Sequence, residues 1–309
     1  MTFVLKALSD NVAEWQRELM ALVPDLEIRI WPDVGNPDDV DLAFMVRPPP
    51  GELKRYPNLK AFLNLNVGVD TLLFDPDLPR HVPIARTVDP GLVRMITTYL
   101  LYAIIRYHRS FDEFARRQSQ VRWEYLRARD NYNCRVGIMG LGVIGLDAAT
   151  TLRDLGFAVA GWSRTPKALD GIEAFHGRDG LAPFLNRTEI LCCVLPLTAD
   201  TRQIINRDSL SLLPRGARLI NVARGSIMVE RDLLDALDSG QLAGATLDVF
   251  DEEPLPPDNP LWLHPGVVVT PHVAGNTSPV TAAPQVAENI RRARQGLPLI
   301  NQIDRGRGY

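Results

Sequence analysis

Residues 136–139, Val136-Gly137-Ile138-Met139, run directly into Gly140-Leu141-Gly142-Val143-Ile144-Gly145, and a helical pattern then continues to about Leu155. A buried strand that must turn into a helix within a few residues has few solutions. Gly140 permits the tight turn, Gly142 lets the backbone approach a pyrophosphate, and Gly145 lets the helix pack closely on the strand. The first helical turn, with Val143 and Ile144, offers N–H groups and the positive end of the helix dipole to phosphates. The spacing predicts a dinucleotide-binding βα turn; a plain glycine-rich turn is the alternative.

The sequence around this turn repeats the same alternation. Strand-like runs fall at residues 158–162, 190–195, 218–222, 244–249 and 267–270, with helical patterns between them. Asp208 precedes a short helix, residues 230–232 open another that ends at Gly240, and residues 279–295 give a last one. Earlier runs at residues 3–7, 26–31, 42–46 and 59–64 read as strands, with a helix over 11–23. Such βαβ repetition implies α/β architecture, with a doubly wound parallel sheet. Residues 93–117 read as one long helix with a mixed face of Tyr99, Leu100, Ala103, Tyr107, Phe111 and Phe114. Residues 118–132, polar and aromatic without a clear period, read either as a surface connection or as an arm packing on a partner subunit.

The 309 residues suggest two domains, and the 46% apolar and 23% charged fractions are globular. A net charge of −3 lacks the basic excess of a nucleic-acid binder. No apolar run reaches the ~18 residues that span a bilayer, and the first ten residues lack a leader-like pattern. No nucleic-acid or membrane partner is therefore expected. Cys192 and Cys193 lie in an apolar run, where alternation points them apart. With Cys134 they read as small core residues in a reducing compartment rather than as redox or metal groups, so the expected location is cytoplasmic and no metal site is expected.

The second strand of the nucleotide unit decides the cofactor. An NAD site usually has Asp or Glu there to accept from the ribose 2′-OH. Here the segment is Gly161-Trp162-Ser163-Arg164-Thr165-Pro166-Lys167. A carboxylate would repel a 2′-phosphate, whereas the Arg164 guanidinium can bind it bidentately, with Ser163 and Thr165 as hydroxyl donors. NADPH is preferred, and NAD stays as the alternative.

Three polar residues each follow a strand: Arg224 in Asn221-Val222-Ala223-Arg224-Gly225, Glu253 after Asp248-Val249-Phe250, and His272 in Thr270-Pro271-His272. Ligands of open α/β sheets bind beyond the carboxyl ends of the strands. The three suit reduction of a 2-keto acid. Arg224 can hold the carboxylate and polarise the carbonyl, His272 can protonate the developing alkoxide, and Glu253 can orient the imidazole and favour its charged form.

These motifs, with Leu195-Pro196-Leu197-Thr198, Leu247-Asp248-Val249-Phe250, Glu253-Pro254-Leu255 and Thr270-Pro271-His272-Val273-Ala274-Gly275, resemble the D-isomer-specific 2-hydroxyacid dehydrogenases over residues 133–275. The Trp162-Ser163-Arg164 segment looks like the NADPH-preferring glyoxylate/hydroxypyruvate reductase A branch. The resemblance implies that Arg224, Glu253 and His272 are catalytic. It also implies a cofactor site completed by Trp162, Leu195, Pro196, Thr198, Val222, Ala223, Asp248 and Gly275. Backbone amides of Val67 and Gly68, in Asn66-Val67-Gly68-Val69-Asp70, would bind the substrate carboxylate.

A homodimer is further implied, with residues 93–132 crossing to the other subunit. So is a discontinuous, flavodoxin-like substrate domain over 1–98 and 273–309 around a Rossmann nucleotide domain over 99–272, with a cleft that closes on the ligands.

Three positions depart from the branch. Val46-Arg47 stands where Trp-His is usual, Thr98 where Glu is usual, and Ser278 where Arg is usual. Arg47 is either a replacement carboxylate anchor or a solvated loop residue. A relative with another 2-hydroxy acid substrate, and a dinucleotide-sensing regulator without turnover, remain as alternatives.

Overall fold

Strands buried on both faces read as continuous apolar runs, and the chain begins with several. In the computed structural model, which describes residues 1–7 and 11–308, one compact unit comprises Met1–Leu92 and Asn276–Tyr309. Its parallel strands are β1 (Thr2–Lys6), β2 (Glu27–Ile30), β3 (Val40–Met45), β4 (Ala61–Asn64) and β5 (Ile84–Arg86), in the flavodoxin-like order β2-β1-β3-β4-β5.

Period-two alternation sorts the side chains. Phe3, Leu5, Leu42, Phe44 and Leu63 pack with Trp15 and Leu19 of α1 (Val12–Leu22) and with Val286 and Ile290 of the C-terminal helix (Pro279–Arg294). Val4, Ala43, Met45, Phe62 and Ile84 point to the other face, where Leu53, Tyr56 and Leu72 of the short α2 (Asp70–Leu73) cover them. Trp15 meets Phe44 edge to face at 4.8 Å.

The second unit is Val93–Gly275. Seven parallel strands build it: β6 (Arg135–Met139), β7 (Ala158–Ser163), β8 (Glu173–His176), β9 (Ile190–Cys193), β10 (Ala217–Asn221), β11 (Leu242–Leu247) and β12 (Val267–Val269). Their order, β12-β11-β10-β9-β6-β7-β8, reverses direction between β6 and β9. That switch point is where a doubly wound sheet binds its ligand. Cys193 joins the core of Leu191, Leu219 and Leu247, whereas Cys192, equally buried, lies outside that cluster, as alternation requires. Burial pushes the Cys193 thiol up to about 12 and Cys134 up to about 11.

The structure corrects some expectations. Residues 93–117 are not one helix. α3 (Pro90–His108) stops, Ser110 adopts φ +56°, and α4 (Phe111–Ser119) begins after it. One left-handed residue breaks the i→i−4 ladder without disturbing the apolar spacing, so periodicity does not reveal it. The short helix near Asp208 is α7 (Arg207–Ser211), since α5 (Val143–Asp154) and α6 (Leu181–Asn186) precede it; its cap is Asn206. Asn206 accepts from the Asp208 and Ser209 N–H groups and its own N–H donates to the Ser209 hydroxyl, a reciprocal capping box. α8 (Glu230–Asp238) starts at the expected acidic turn. Strands β5 and β8 and helix α6 have no counterpart in the sequence reading. No helix among the described residues is long and apolar enough to cross a membrane.

Candidate active site

At the end of β6 the three glycines differ in what surrounds them. Gly140 has φ +111°, outside the usual range of side-chain-bearing residues. A Cβ added to Gly145 would lie 1.8 Å from the Gly140 carbonyl oxygen, so α5 could not approach the strand with any side chain there. A Cβ added to Gly142 would meet nothing within 4 Å. Open space at Gly142 and tight contact at Gly145 are what a turn shaped around an external phosphate requires. Gly142 caps α5 without any side-chain hydrogen bond, which leaves the N–H groups of its first turn, at Val143 and Ile144, to a ligand. These residues fit a dinucleotide.

At the end of β7, Trp162 is buried and its indole N–H donates to the Gly177 carbonyl at 2.9 Å, so it serves the scaffold. The Ser163 hydroxyl is likewise spent inside the turn, donating to the Thr165 carbonyl at 2.8 Å. Arg164 and Thr165 are exposed. After β9, the Thr201 hydroxyl accepts from the Thr198 N–H and donates to the Pro196 carbonyl, which fixes the segment from Leu195 to Thr198.

The edge formed by β10, β11 and β12 carries the polar constellation. Buried Asn221 closes the turn after β10: its carbonyl accepts from the Ala223 N–H and its amide donates to the Arg224 carbonyl. Sequence reading passed over Asn221, although a buried asparagine at a strand end is itself a turn signal. Val222, Ala223 and half-buried Arg224 follow. A Cβ on Gly225 would overlap the Phe250 backbone at 1.9 Å, so the Arg224 turn is pressed onto the segment leading to Glu253.

Glu253 is held from both sides. One carboxylate oxygen accepts from the Phe250 N–H at 3.1 Å, and the other faces the His272 Nδ1 at 2.8 Å. A carboxylate at that distance assigns the Nδ1 proton, leaving Nε2 for proton exchange with a substrate.

His272 itself has φ +56°. For a side-chain-bearing residue this costs about 1–2 kcal/mol. Buried Asp248 offsets that cost. Its carbonyl accepts from the His272 N–H at 2.8 Å, and its carboxylate accepts from the Val273 and Ala274 N–H groups at 2.9 and 2.8 Å. Hydrogen bonds to a charged group are worth about 1.5–3 kcal/mol each, so the clamp wins. Gly275 ends the segment, half-buried.

In the first unit, Asn64, at the end of β4, donates its amide to the Asn66 and Gly68 carbonyls at 2.7 and 2.9 Å. The Val67 and Gly68 N–H groups have no hydrogen-bond partner among the described residues. Arg47 follows the adjacent β3, is exposed and has φ +43°. The Lys6 ammonium holds that turn by donating to the Val46 and Arg47 carbonyls. Burial keeps the Lys6 pKa below the ordinary lysine range. Thr98 donates to the Arg94 carbonyl on its own helix, and Ser278 precedes the C-terminal helix without a side-chain cap bond.

With a glycine turn beside the switch point and an imidazole–carboxylate pair on the same strand-end edge, the second unit has the build of a dinucleotide-dependent dehydrogenase. The sequence profile described as D-isomer specific 2-hydroxyacid dehydrogenase, NAD binding domain, matches residues 101–274. Glyoxylate/hydroxypyruvate reductase A of Serratia proteamaculans is 40% identical over 304 residues, 97% of each chain. A D-isomer specific 2-hydroxyacid dehydrogenase of Xanthobacter autotrophicus Py2, solved with NADPH and MES, superposes with a TM-score of 0.96 at 45% identity, over 100% of this chain and 99% of that one. The NADPH-dependent glyoxylate/hydroxypyruvate reductase of Sinorhizobium meliloti, solved with NADP and sulfate, gives a TM-score of 0.92 at 35% identity, over 100% and 99%. The chain belongs to the D-isomer specific 2-hydroxyacid dehydrogenase family.

Proposed function

We propose that the protein reduces small 2-keto acids of the glyoxylate and hydroxypyruvate type to 2-hydroxy acids, with NADPH preferred over NADH. The observation that carries this reading is the 2.8 Å contact between His272 Nδ1 and Glu253, at the strand-end edge that also holds Arg224. When bound, the reduced nicotinamide supplies a hydride to the substrate carbonyl carbon. Arg224 binds the substrate carboxylate and polarises the carbonyl by charge-assisted hydrogen bonds. His272 donates the Nε2 proton to the alkoxide oxygen, and Glu253 stabilises the imidazolium before the transfer and keeps Nδ1 protonated after it. The unpartnered Val67 and Gly68 amides suit a carboxylate, and Arg47, exposed after the neighbouring strand β3, is a further cationic candidate for it. The first unit is then the substrate domain and the second the nucleotide domain.

Cofactor choice rests on Arg164, exposed beyond β7 with no acidic residue from 162 to 167; the names of the Xanthobacter and Sinorhizobium structures point the same way. Val143, Ile144, Leu195, Pro196, Thr198, Val222, Ala223 and Gly275 line the remaining cofactor site in this reading. A homodimer is supported by the exposed side chains of Met95, Tyr102 and Phe111 on α3 and α4, and of Trp123 and Tyr125 in the segment after them. Three buried, unpaired cysteines suit a reducing cytoplasm.

NADPH oxidation followed near 340 nm tests the reading, over glyoxylate, hydroxypyruvate, pyruvate and bulkier 2-keto acids. Turnover with glyoxylate and hydroxypyruvate is expected to exceed that with the bulkier acids. Cofactor binding without oxidation for any of them would overturn the assignment and favour a regulator.

A further inference from the structure

Tyr99 lies on α3, far in sequence from the catalytic candidates, yet its hydroxyl is 2.6 Å from the Thr270 hydroxyl. The Thr270 hydroxyl is in turn 2.6 Å from an Asp248 carboxylate oxygen. Proton arithmetic sets the direction. Thr270 has one hydroxyl proton and a carboxylate can only accept, so Thr270 donates to Asp248. Its oxygen then accepts from Tyr99. Burial pushes the Tyr99 phenol up to about 12, so it stays a donor at any working pH. The same Asp248 oxygen takes the Val273 N–H and the other takes the Ala274 N–H. With the Asp248 carbonyl on the His272 N–H, the residue that follows β11 meets the turn after β12 at four points.

That turn needs the support. β12 has three residues and pairs with β11 alone, at the sheet edge. His272 follows it in a left-handed conformation, and the Asp248 carboxylate supports that turn through the Val273 and Ala274 N–H groups.

We propose that Tyr99 is a positioning residue for His272, acting through the Thr270 hydroxyl and the Asp248 carboxylate to hold the imidazole against Glu253. Asp248 in this account is the hub of the turn. The proposal rests on His272 being the proton donor proposed above.

Tyr99→Phe removes one oxygen and leaves the ring packing intact, so the variant should melt within a few degrees of wild type. The test compares wild type, Tyr99→Phe, Thr270→Val and Thr270→Ser in two readouts. The first is steady-state reduction of glyoxylate. Tyr99→Phe should lose about tenfold in kcat with the KM for NADPH within about twofold, Thr270→Val should lose at least as much, and Thr270→Ser should recover most of it. The second needs no turnover: the Nδ1 proton resonance of His272 in protein labelled with ¹⁵N-histidine, assigned by its loss in His272→Gln. It should be sharp in wild type and Thr270→Ser, and broadened or shifted in Tyr99→Phe and Thr270→Val. Wild-type kcat with an unchanged resonance in Tyr99→Phe overturns the proposal, as does a rise confined to the KM for NADPH. Failure of wild type to reduce any keto acid would overturn the functional reading, while the resonance would still decide whether Tyr99 positions His272.

Discussion

His272 takes a left-handed backbone conformation that is uncommon for any residue but glycine, although histidine, like asparagine and aspartate, adopts it more often than most, and the neighbouring Asp248 explains how it is kept. The same economy of local geometry governs Arg164. It sits, exposed, on a turn shaped by the Ser163 hydroxyl and the Thr165 carbonyl, which commits the serine to the loop. If Arg164 holds a 2′-phosphate, Arg164→Ala should raise the KM for NADPH about tenfold or more and change that for NADH less than about twofold, given the ~1.5–3 kcal/mol of a charge-assisted bond. An unchanged ratio of the two constants contradicts the phosphate role.

At this scale the sequence was informative wherever the chemistry is local. The different demands on Gly140, Gly142 and Gly145 follow from one turn, and the pairing of Glu253 with His272 follows from two strand ends. The Asp248 clamp was not legible, because it joins residues 22 to 26 apart through oxygen positions that only a folded edge defines. Nor was the commitment of the Trp162 indole to Gly177, which depends on the unforeseen strand β8 lying next to β7.

Among elements, α3 does more than connect. Its Tyr99 reaches Thr270 after β12, and its Tyr107, two turns on, bonds the Thr246 hydroxyl on β11 at 2.7 Å. Both phenols are pushed up to about 12 by burial, from an ordinary 10.0. A folded-state pKa above the unfolded value means that the native state binds the proton more tightly. The stability these phenols lend is present below about pH 10 and is lost as pH rises through about 12. The urea midpoint should therefore fall between pH 10 and 12, and the fall should be shallower in a Tyr99→Phe, Tyr107→Phe double variant. Equal slopes in the two proteins would show that these phenols do not anchor the helix.

The helix pattern itself was legible from apolar spacing, but its end was not. The break at Ser110 is a single left-handed residue, and residues on either side keep a helical period. Asn206 rather than Asp208 caps α7 because two side chains must bond reciprocally, a relation that composition near a helix start does not rank. Strand β8 escaped notice because Glu173-Ala174-Phe175-His176 is only partly buried and lacks a continuous apolar run.

For the whole molecule, two parallel sheets with different strand orders follow from one repeated theme. Each strand in the middle of a sheet must be apolar on both faces, and the helices between strands must cover them. That is why the doubly wound architecture could be read from runs such as residues 42–46 and 190–195, whereas strand order, set by contacts between distant segments, could not. The central claim is that the imidazole of His272, held by Glu253, supplies the proton that completes 2-keto acid reduction. Its most direct test is the turnover of His272→Ala with NADPH and glyoxylate, beside wild type. The account predicts a kcat lower by at least ~10²-fold, about 2.7 kcal/mol of transition-state stabilisation, with NADPH binding retained. Turnover within a few-fold of wild type would contradict it.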